Sequence, residues 1–298
     1  MKSLFLLLCL ICATKRSQCD PDPDIGSFFS SLFGAPQDTP IRSFGNGFWN
    51  VRVPFQIKLL EIGTHMSLIQ LSNGNFLVID TVALNDQLER ELNELTNNGT
   101  KIEAVLAVHP FHTLAYSAFH RLYPNVPYYG TPRHLRKLTE IKWAGQLDDK
   151  ENKELLSKWA PDVELRIPAG AEYFDPQPED TNHFVSIFVY HRNSKTLHVD
   201  DTLIYAEDPS WPVRLVFGVQ AGSLKFHPSM ADGGLYRTVE APLQFRDWMK
   251  KLLDDWDFEN LCTAHIGVKK GGAHDAVREL VNESEKLFEE LSERNRNN

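Results

Sequence analysis

The sequence predicts a mixed α/β fold. Short apolar runs alternate with amphipathic helical patterns, and tight-turn signals join some of the runs as antiparallel hairpins. His and Asp residues follow several of the apolar runs. In folds of this kind functional groups gather where strands end.

The elements follow in chain order. Val51–Leu60 and Met66–Leu71 read as strands. Ser72-Asn73-Gly74-Asn75 reads as a hairpin turn, because Asn-Gly tolerates the positive φ that a tight turn needs. It leads into Phe76-Leu77-Val78-Ile79-Asp80, a continuous apolar strand ending in an acid. Asn85 to about Asn98 reads as a helix, with Leu84, Leu88, Leu92 and Leu95 on one face. Ala104–Val108 is the next buried strand, ended by His109. Leu114–Leu122 reads as helical, Val126–Tyr129 as a strand and Pro132–Thr139 as helical. Glu140–Gln177 is polar and less regular. Val185–Tyr190 and Thr196–Val199 form a strand pair around Arg192-Asn193-Ser194, and Leu203–Ala206 continues the second strand. Leu243–Trp256 is an amphipathic helix, and Leu261–Ala264 a short strand ending in His265. Ala273–Leu291 reads as one long helix with Ala276, Val277, Leu280, Leu287 and Phe288 inward, and the closing Glu-Arg-Asn run frays.

Composition narrows the function classes. The 298 residues are 42% hydrophobic and 24% charged, with 18 Phe and 6 Trp, which excludes disorder. A net charge of −9 argues against a nucleic-acid partner. Residues 1–13 (MKSLFLLLCLICA) place Lys2 before an apolar run of secretory length, too short to span a bilayer. Residues 1–19 are therefore expected to be a signal peptide, cut after Ala13 or Cys19, and the protein to be secreted. Cutting after Cys19 removes Lys2, Lys15 and Arg16 but no acid, so the charge becomes −12. No other apolar run reaches membrane length, so no membrane span is expected.

A cut after Ala13 leaves Cys19 able to pair with Cys262, whereas a cut after Cys19 leaves Cys262 alone. The triplets Asn98-Gly99-Thr100 and Asn282-Glu283-Ser284 are N-glycosylation acceptors in a secretory lumen. Residues 20–45, rich in Pro, Gly, Ser and Asp, read as a loosely structured extension. Residues 46–298 read as one domain.

The candidate chemistry lies at the strand ends: Asp80, His109, His112, His183, Asp200, Asp201 and His265. Histidine nitrogens and carboxylate oxygens on several rigid ends can converge on zinc, iron or manganese. Taken one at a time, each is as well explained by a turn cap or a satisfied histidine.

Their order resembles the motifs of the metallo-β-lactamase fold superfamily. Phe76–Thr81 is similar to its first motif, an apolar strand ending in Asp. Val108-His109-Pro110-Phe111-His112-Thr113-Leu114 stands where the H-x-H-x-D-H motif is found. His183 before a strand, Asp201-Thr202-Leu203 after one, and His265-Ile266-Gly267 late in the chain resemble the remaining three. The resemblance covers residues 48–290. It implies an αββα sandwich of two mixed sheets with helices on the outer faces.

The resemblance also implies a site. His109, His112 and His183, with Asp201 bridging, would hold one metal, and Asp80 would steady the loops that carry them. His109 matches the first motif position, while Phe111 occupies the second, so His112 substitutes by a one-residue shift. Thr113 and Leu114 occupy the positions of the motif's Asp and last His and cannot replace them as ligands. The second metal of the superfamily is therefore not expected. His265, without its partners there, becomes a candidate acid or base alongside Asp201. The implied function is a secreted hydrolase with one zinc, iron or manganese ion. Its metal-bound hydroxide would attack an ester, amide or phosphoester of a small-molecule substrate. The alternative is a catalytically inactive member that binds a ligand or protein through the old cleft, with Phe111, Trp143, Trp211 and Phe226 as candidate lining.

Overall fold

The structure is a computed structural model describing residues 41–57, 60–148, 150, 152–179 and 182–297. The signal peptide, Cys19 and most of the extension lie outside the described residues. Strands β1 (Arg42–Gly45), β2 (Phe48–Val53), β3 (Gln56–Ile57), β4 (Leu60–Glu61), β5 (Thr64–Gln70) and β6 (Phe76–Ile79) come first. Next come helix α1 (Asp86–Thr96), β7 (Ile102–Ala107), α2 (Tyr116–Leu122), β8 (Tyr128–Gly130) and α3 (Pro132–Lys137). They are followed by β9 (Trp143–Gln146), α4 (Lys153–Leu156), β10 (Val163–Arg166), β11 (Phe188–His191), β12 (Thr196–His198) and β13 (Leu203–Tyr205). The last part holds α5 (Trp211–Phe217), β14 (Leu224–Phe226), α6 (Ala241–Asp255), β15 (Asn260–Cys262), β16 (Val268–Lys269), α7 (Ala273–Glu283) and α8 (Glu285–Arg296).

Seven strands form one sheet in the order β1-β2-β5-β6-β7-β8-β9, and five form a second in the order β10-β11-β12-β15-β16. The first is antiparallel from β1 to β6 and parallel from β6 to β9. The Asn73-Gly74 turn joins β5 to β6 with Gly74 at φ +84°. Leu77, Ile79 and Leu106 share one core with Val189, Leu197 and Leu261 of the second sheet. That core is continuous with Phe245, Val277 and Phe288 of α6, α7 and α8. On the outer face of the first sheet, Met66, Leu68, Val78 and Val105 pack with Leu88 and Leu92 of α1 and Tyr116 and Phe119 of α2. Strands β6 and β7 are thus covered on both faces, which is why they read as unbroken apolar runs. The layers are helices, sheet, sheet, helices: an αββα sandwich.

The structure departs from the expected elements in several places. Arg42–Gly45, inside the segment read as an extension, pairs with β2 at the edge of the first sheet. The run Val51–Leu60 breaks after Val53, where Pro54 offers no backbone donor. The polar stretch 140–177 carries β9 and β10, which extend one sheet and start the other. Leu203–Tyr205 does not continue β12 but pairs with β14 in a separate hairpin sheet. The final helix is two helices that meet at Ser284, so Leu287 turns outward and Val281 faces the core. The closing residues remain helical to Arg296.

Two stability predictions follow from this packing. Phe245 is fully buried, with its ring 5.2 Å from Phe184, 5.7 Å from Phe226 and 6.0 Å from Phe288. Phe245→Ala should cost about 3–5 kcal/mol, read as a lower urea midpoint. His191 is buried against Phe48 and bonded to Ser194 Oγ at 2.8 Å. Burial lowers its pKa from 6.5 to about 4, with Asp162 opposing in part. The unfolded chain takes up this proton first, so the contribution is intact above pH 6.5 and lost as pH falls through about 4. Denaturation of His191→Gln should depend less on pH across that window than wild type.

Candidate metal centre

The site forms at one end of the sandwich, where β6, β7, β12 and β15 terminate and the antiparallel β5 begins. Asp80 follows β6 with φ +55°, a left-handed backbone that non-glycine residues rarely adopt. Its Oδ1 accepts bonds from the Val108 backbone N–H at 2.9 Å and from Tyr116 Oη at 2.7 Å. These tie the end of β6 to the end of β7 and to α2. Past β7 the chain turns tightly, with the His112 N–H donating to the His109 carbonyl at 3.1 Å. That turn folds the ring of His112 back to 4.1 Å from the ring of His109. The two sheets are stitched at the same level by the Ile187 N–H, which donates to the Val108 carbonyl at 3.0 Å.

Four histidines surround Asp201. His109 Nε2 and His112 Nε2 each lie 3.5 Å from Asp201 Oδ2, His183 Nδ1 lies 3.9 Å from the same oxygen, and His265 Nε2 lies 3.6 Å from Oδ1. Burial works against charge on Asp201, but His265, His112 and His109 outweigh it and hold the carboxyl well below its ordinary pKa. Burial likewise disfavours charge on His112, yet Asp201, Asp80 and Asp200 hold its pKa well above 6.5. Burial lowers His183 to about 4 and also lowers His265, with Asp201 opposing in both, so both rings are neutral near pH 7.

Of these residues, His109, His112 and Asp201 could hold a divalent metal, with one ligand atom of each within 4.8 Å of the others. Ligands 2.0–2.2 Å from a tetrahedral ion stand about 3.3–3.6 Å from one another. The separations around Asp201 match that spacing better than the roughly 2.7–3.2 Å of a hydrogen bond. His112 Nε2 is buried without a hydrogen-bond partner. His265 Nδ1 is bound to the Gly63 carbonyl at 2.5 Å, which leaves Nε2 as the free lone pair directed toward Asp201. His109 is differently held. Its Nδ1 accepts from the Phe111 N–H, and its Nε2 donates to the His183 carbonyl at 3.2 Å. It reaches a metal only by releasing that carbonyl.

The substituted motif positions have structural roles. Phe111 lies with its ring 4.6 Å from that of His183 and 4.5 Å below the Arg133 guanidinium. Leu114 is 82% exposed and points away from the cluster. Of the other proposed lining aromatics, Phe226 is in the core and Trp143 packs against the outer-face core, while Trp211 is exposed.

A second group, not foreseen as a unit, lies beside the first. Asp80, His198 and Asp200 are fully buried, with one ligand atom of each within 4.8 Å of the others. His112 joins the two groups, because its Nδ1 is 3.6 Å from Asp80 Oδ2 and 3.7 Å from Asp200 Oδ1. Burial and the charge of Asp80 raise the pKa of Asp200 to about 7. His227 is a further neighbour of the site, its pKa lowered by burial while Asp201 opposes. His65, bound through Nδ1 to Asn50 Oδ1 at 2.9 Å, is buried near His198 and His265. His65, inside β5, gave no motif signal, and His198 entered the motif reading only as the strand residue before Asp200.

No family model and no curated protein sequence matches the chain. Solved structures do. The metallo-β-lactamase DIM-1 is 12% identical, covers 84% of this chain and 99% of its own, and superposes with a TM-score of 0.54. A metallo-β-lactamase from Erythrobacter litoralis is 14% identical, over 82% of this chain and 96% of its own, with a TM-score of 0.52. VMB-1 is 12% identical over 84% and 99%, also at 0.52. At such identities the likeness concerns the path of the backbone, and it agrees with the two-sheet sandwich above: the chain has the metallo-β-lactamase fold.

Proposed function

We propose that this protein is a secreted, metal-dependent hydrolase of esters, amides or phosphoesters, with its reaction centre at Asp201. The observation that carries this reading is the convergence of His109, His112, His183 and His265 on one buried carboxylate, at separations of 3.5–3.9 Å. His109, His112 and Asp201 would hold the ion, zinc being the best match to an N/O donor set. Bound there, the ion would supply Lewis acidity and a water acidified to near neutrality.

The chain's own residues do the rest. Asp201, anionic at neutral pH, orients the attacking water through Oδ1 or Oδ2. His265, neutral and fixed by the Gly63 carbonyl, accepts the proton at Nε2 and returns it to the leaving group. His183 is part-exposed at the rim and neutral, suited to contact the substrate without repelling a cation. Asp80 holds the turn that carries His109 and His112. The leader at residues 1–13 supports secretion. So does the exposure of both acceptor asparagines, Asn98 in a turn after α1 and Asn282 near the end of α7.

Metal analysis of purified protein supplemented with zinc, iron and manganese tests the centre. Retention of a metal ion is expected, and retention of none removes the reading. A hydrolase screen on wild type should find turnover that falls about 100-fold or more in His183→Ala and His265→Ala. Unchanged activity in both variants would place the chemistry elsewhere. Metal retention without turnover on any substrate class would favour the binding-module alternative. Expression through a secretory pathway should yield a glycoprotein that loses mass on treatment with an N-glycosidase, and loses less as Asn98→Gln or Asn282→Gln.

A further inference from the structure

The pocket behind His112 holds more unpaired polar atoms than a folded interior ordinarily tolerates. Asp80 Oδ2, both carboxylate oxygens of Asp200 and His198 Nε2 are buried and make no hydrogen bond. Leaving one such group unpaired costs about 1–3 kcal/mol, and more when it is charged. The opposite atoms of two of these side chains are firmly placed. Asp80 Oδ1 accepts from the Val108 N–H and Tyr116 Oη. His198 Nδ1 is bonded to Ser67 Oγ at 2.9 Å. The free atoms are therefore the ones turned toward a common centre. Such outer bonds orient the imidazole and carboxylate ligands of metal sites.

The spacing suits an ion. His198 Nε2 is 3.4 Å from Asp200 Oδ1, and His112 Nδ1 is 3.6 Å from Asp80 Oδ2 and 3.7 Å from Asp200 Oδ1. These lengths are too great for good hydrogen bonds and close to the edges of about 3.3–3.6 Å of a tetrahedron around zinc. A proton shared between the two carboxyl groups would instead draw two oxygens to about 2.5–2.7 Å. No such bond is made by Asp80 Oδ2 or Asp200. Two carboxylates also match the charge of a dication. Asp200 stands where the resembling fold motif has glycine, so this donor set belongs to the present chain.

We propose that Asp80, His198, Asp200 and His112 Nδ1 form a second, interior site for a divalent transition metal of the zinc, iron or manganese class. His112 is the link between this inner site and the group around Asp201, with one ring nitrogen facing each. Occupation of both sites requires both of its nitrogens to be deprotonated, and the released protons pass to solvent. The inner ion braces the ends of β6, β7 and β12 from within. This inference rests on the inner geometry alone and does not require the hydrolase reading.

Zinc counting tests it. The full chain is stripped with a chelator, reloaded with zinc(II), dialysed and measured for zinc per chain. Two zinc ions are expected in wild type, one in Asp200→Asn and one in Asp201→Asn. An Asp200→Asn protein that holds as much zinc as wild type overturns the inner site. One zinc in wild type that is lost in Asp200→Asn but kept in Asp201→Asn upholds the inner site and removes the metal from the hydrolase reading. If Asp200→Asn fails to fold by circular dichroism, anomalous diffraction from zinc-loaded wild-type crystals decides. A peak among Asp80, His198 and Asp200 is expected, and a peak confined to Asp201, or none, overturns the proposal.

Discussion

An ionised carboxylate inside a sandwich of this kind must be compensated, because desolvating it alone costs several kcal/mol even after the surroundings relax. This chain buries three carboxyl groups at one end, Asp80, Asp200 and Asp201, of which Asp200, raised to about 7 by burial and Asp80, is the least compensated. Their compensation organises everything around them. Asp80 draws in the Val108 N–H and Tyr116 Oη, which joins β6 to β7 and to α2. Asp201 draws in four imidazoles from three separate loops. His112 lies between the acids and is held charged by them in the absence of metal. The end of the sandwich is thus an electrostatic lattice, which the packed core beneath supports.

The departures from the motif pattern make physical sense in that setting. Phe111 takes the second motif position and packs between His183 and Arg133, which anchors the rim by aromatic and cation–π contact. His112, one residue later, turns inward because the chain closes a turn onto the His109 carbonyl. Its two nitrogens then face different carboxylate groups. Leu114 faces solvent and offers nothing to the cluster. The remaining buried donors lie instead on the inner side of His112.

Much of the fold was legible because burial leaves a pattern. β6 and β7 are covered on both faces and read as continuous apolar runs. α1 carries Leu88 and Leu92 inward behind an Asn85 side chain that caps the Leu88 N–H, and it was read within two residues of its ends. β9 and β10 were not legible. β9 is an edge strand of Trp, Ala, Gly and Gln, and β10 alternates with charged residues, so neither has the apolar density of a central strand. The break at Ser284 has neither proline nor glycine to announce it. The candidate site divides in the same way. Asp80, His109, His112, His183, Asp201 and His265 announce themselves at strand ends. His198 is the last residue of β12, covered on both sides by apolar neighbours Leu197 and Val199, and looks like an ordinary strand residue.

By itself, then, the sequence determined the alternation of elements, the strands buried on both faces and the set of His and Asp residues at their ends. These are encoded locally, by periodicity over a few residues and by turn chemistry. Only the tertiary structure decided which of those ends meet. Asp80, His112, His198 and Asp200 are up to 120 residues apart in sequence and reach one point only because the two sheets pack with β6, β7 and β12 ending at the same level. The pairing of a ring nitrogen with a particular carboxylate depends on rotamers set by that packing, by the left-handed backbone of Asp80 and by bonds to Ser67 and Gly63. Such choices are made by neighbours distant in the chain, so no window of sequence contains them.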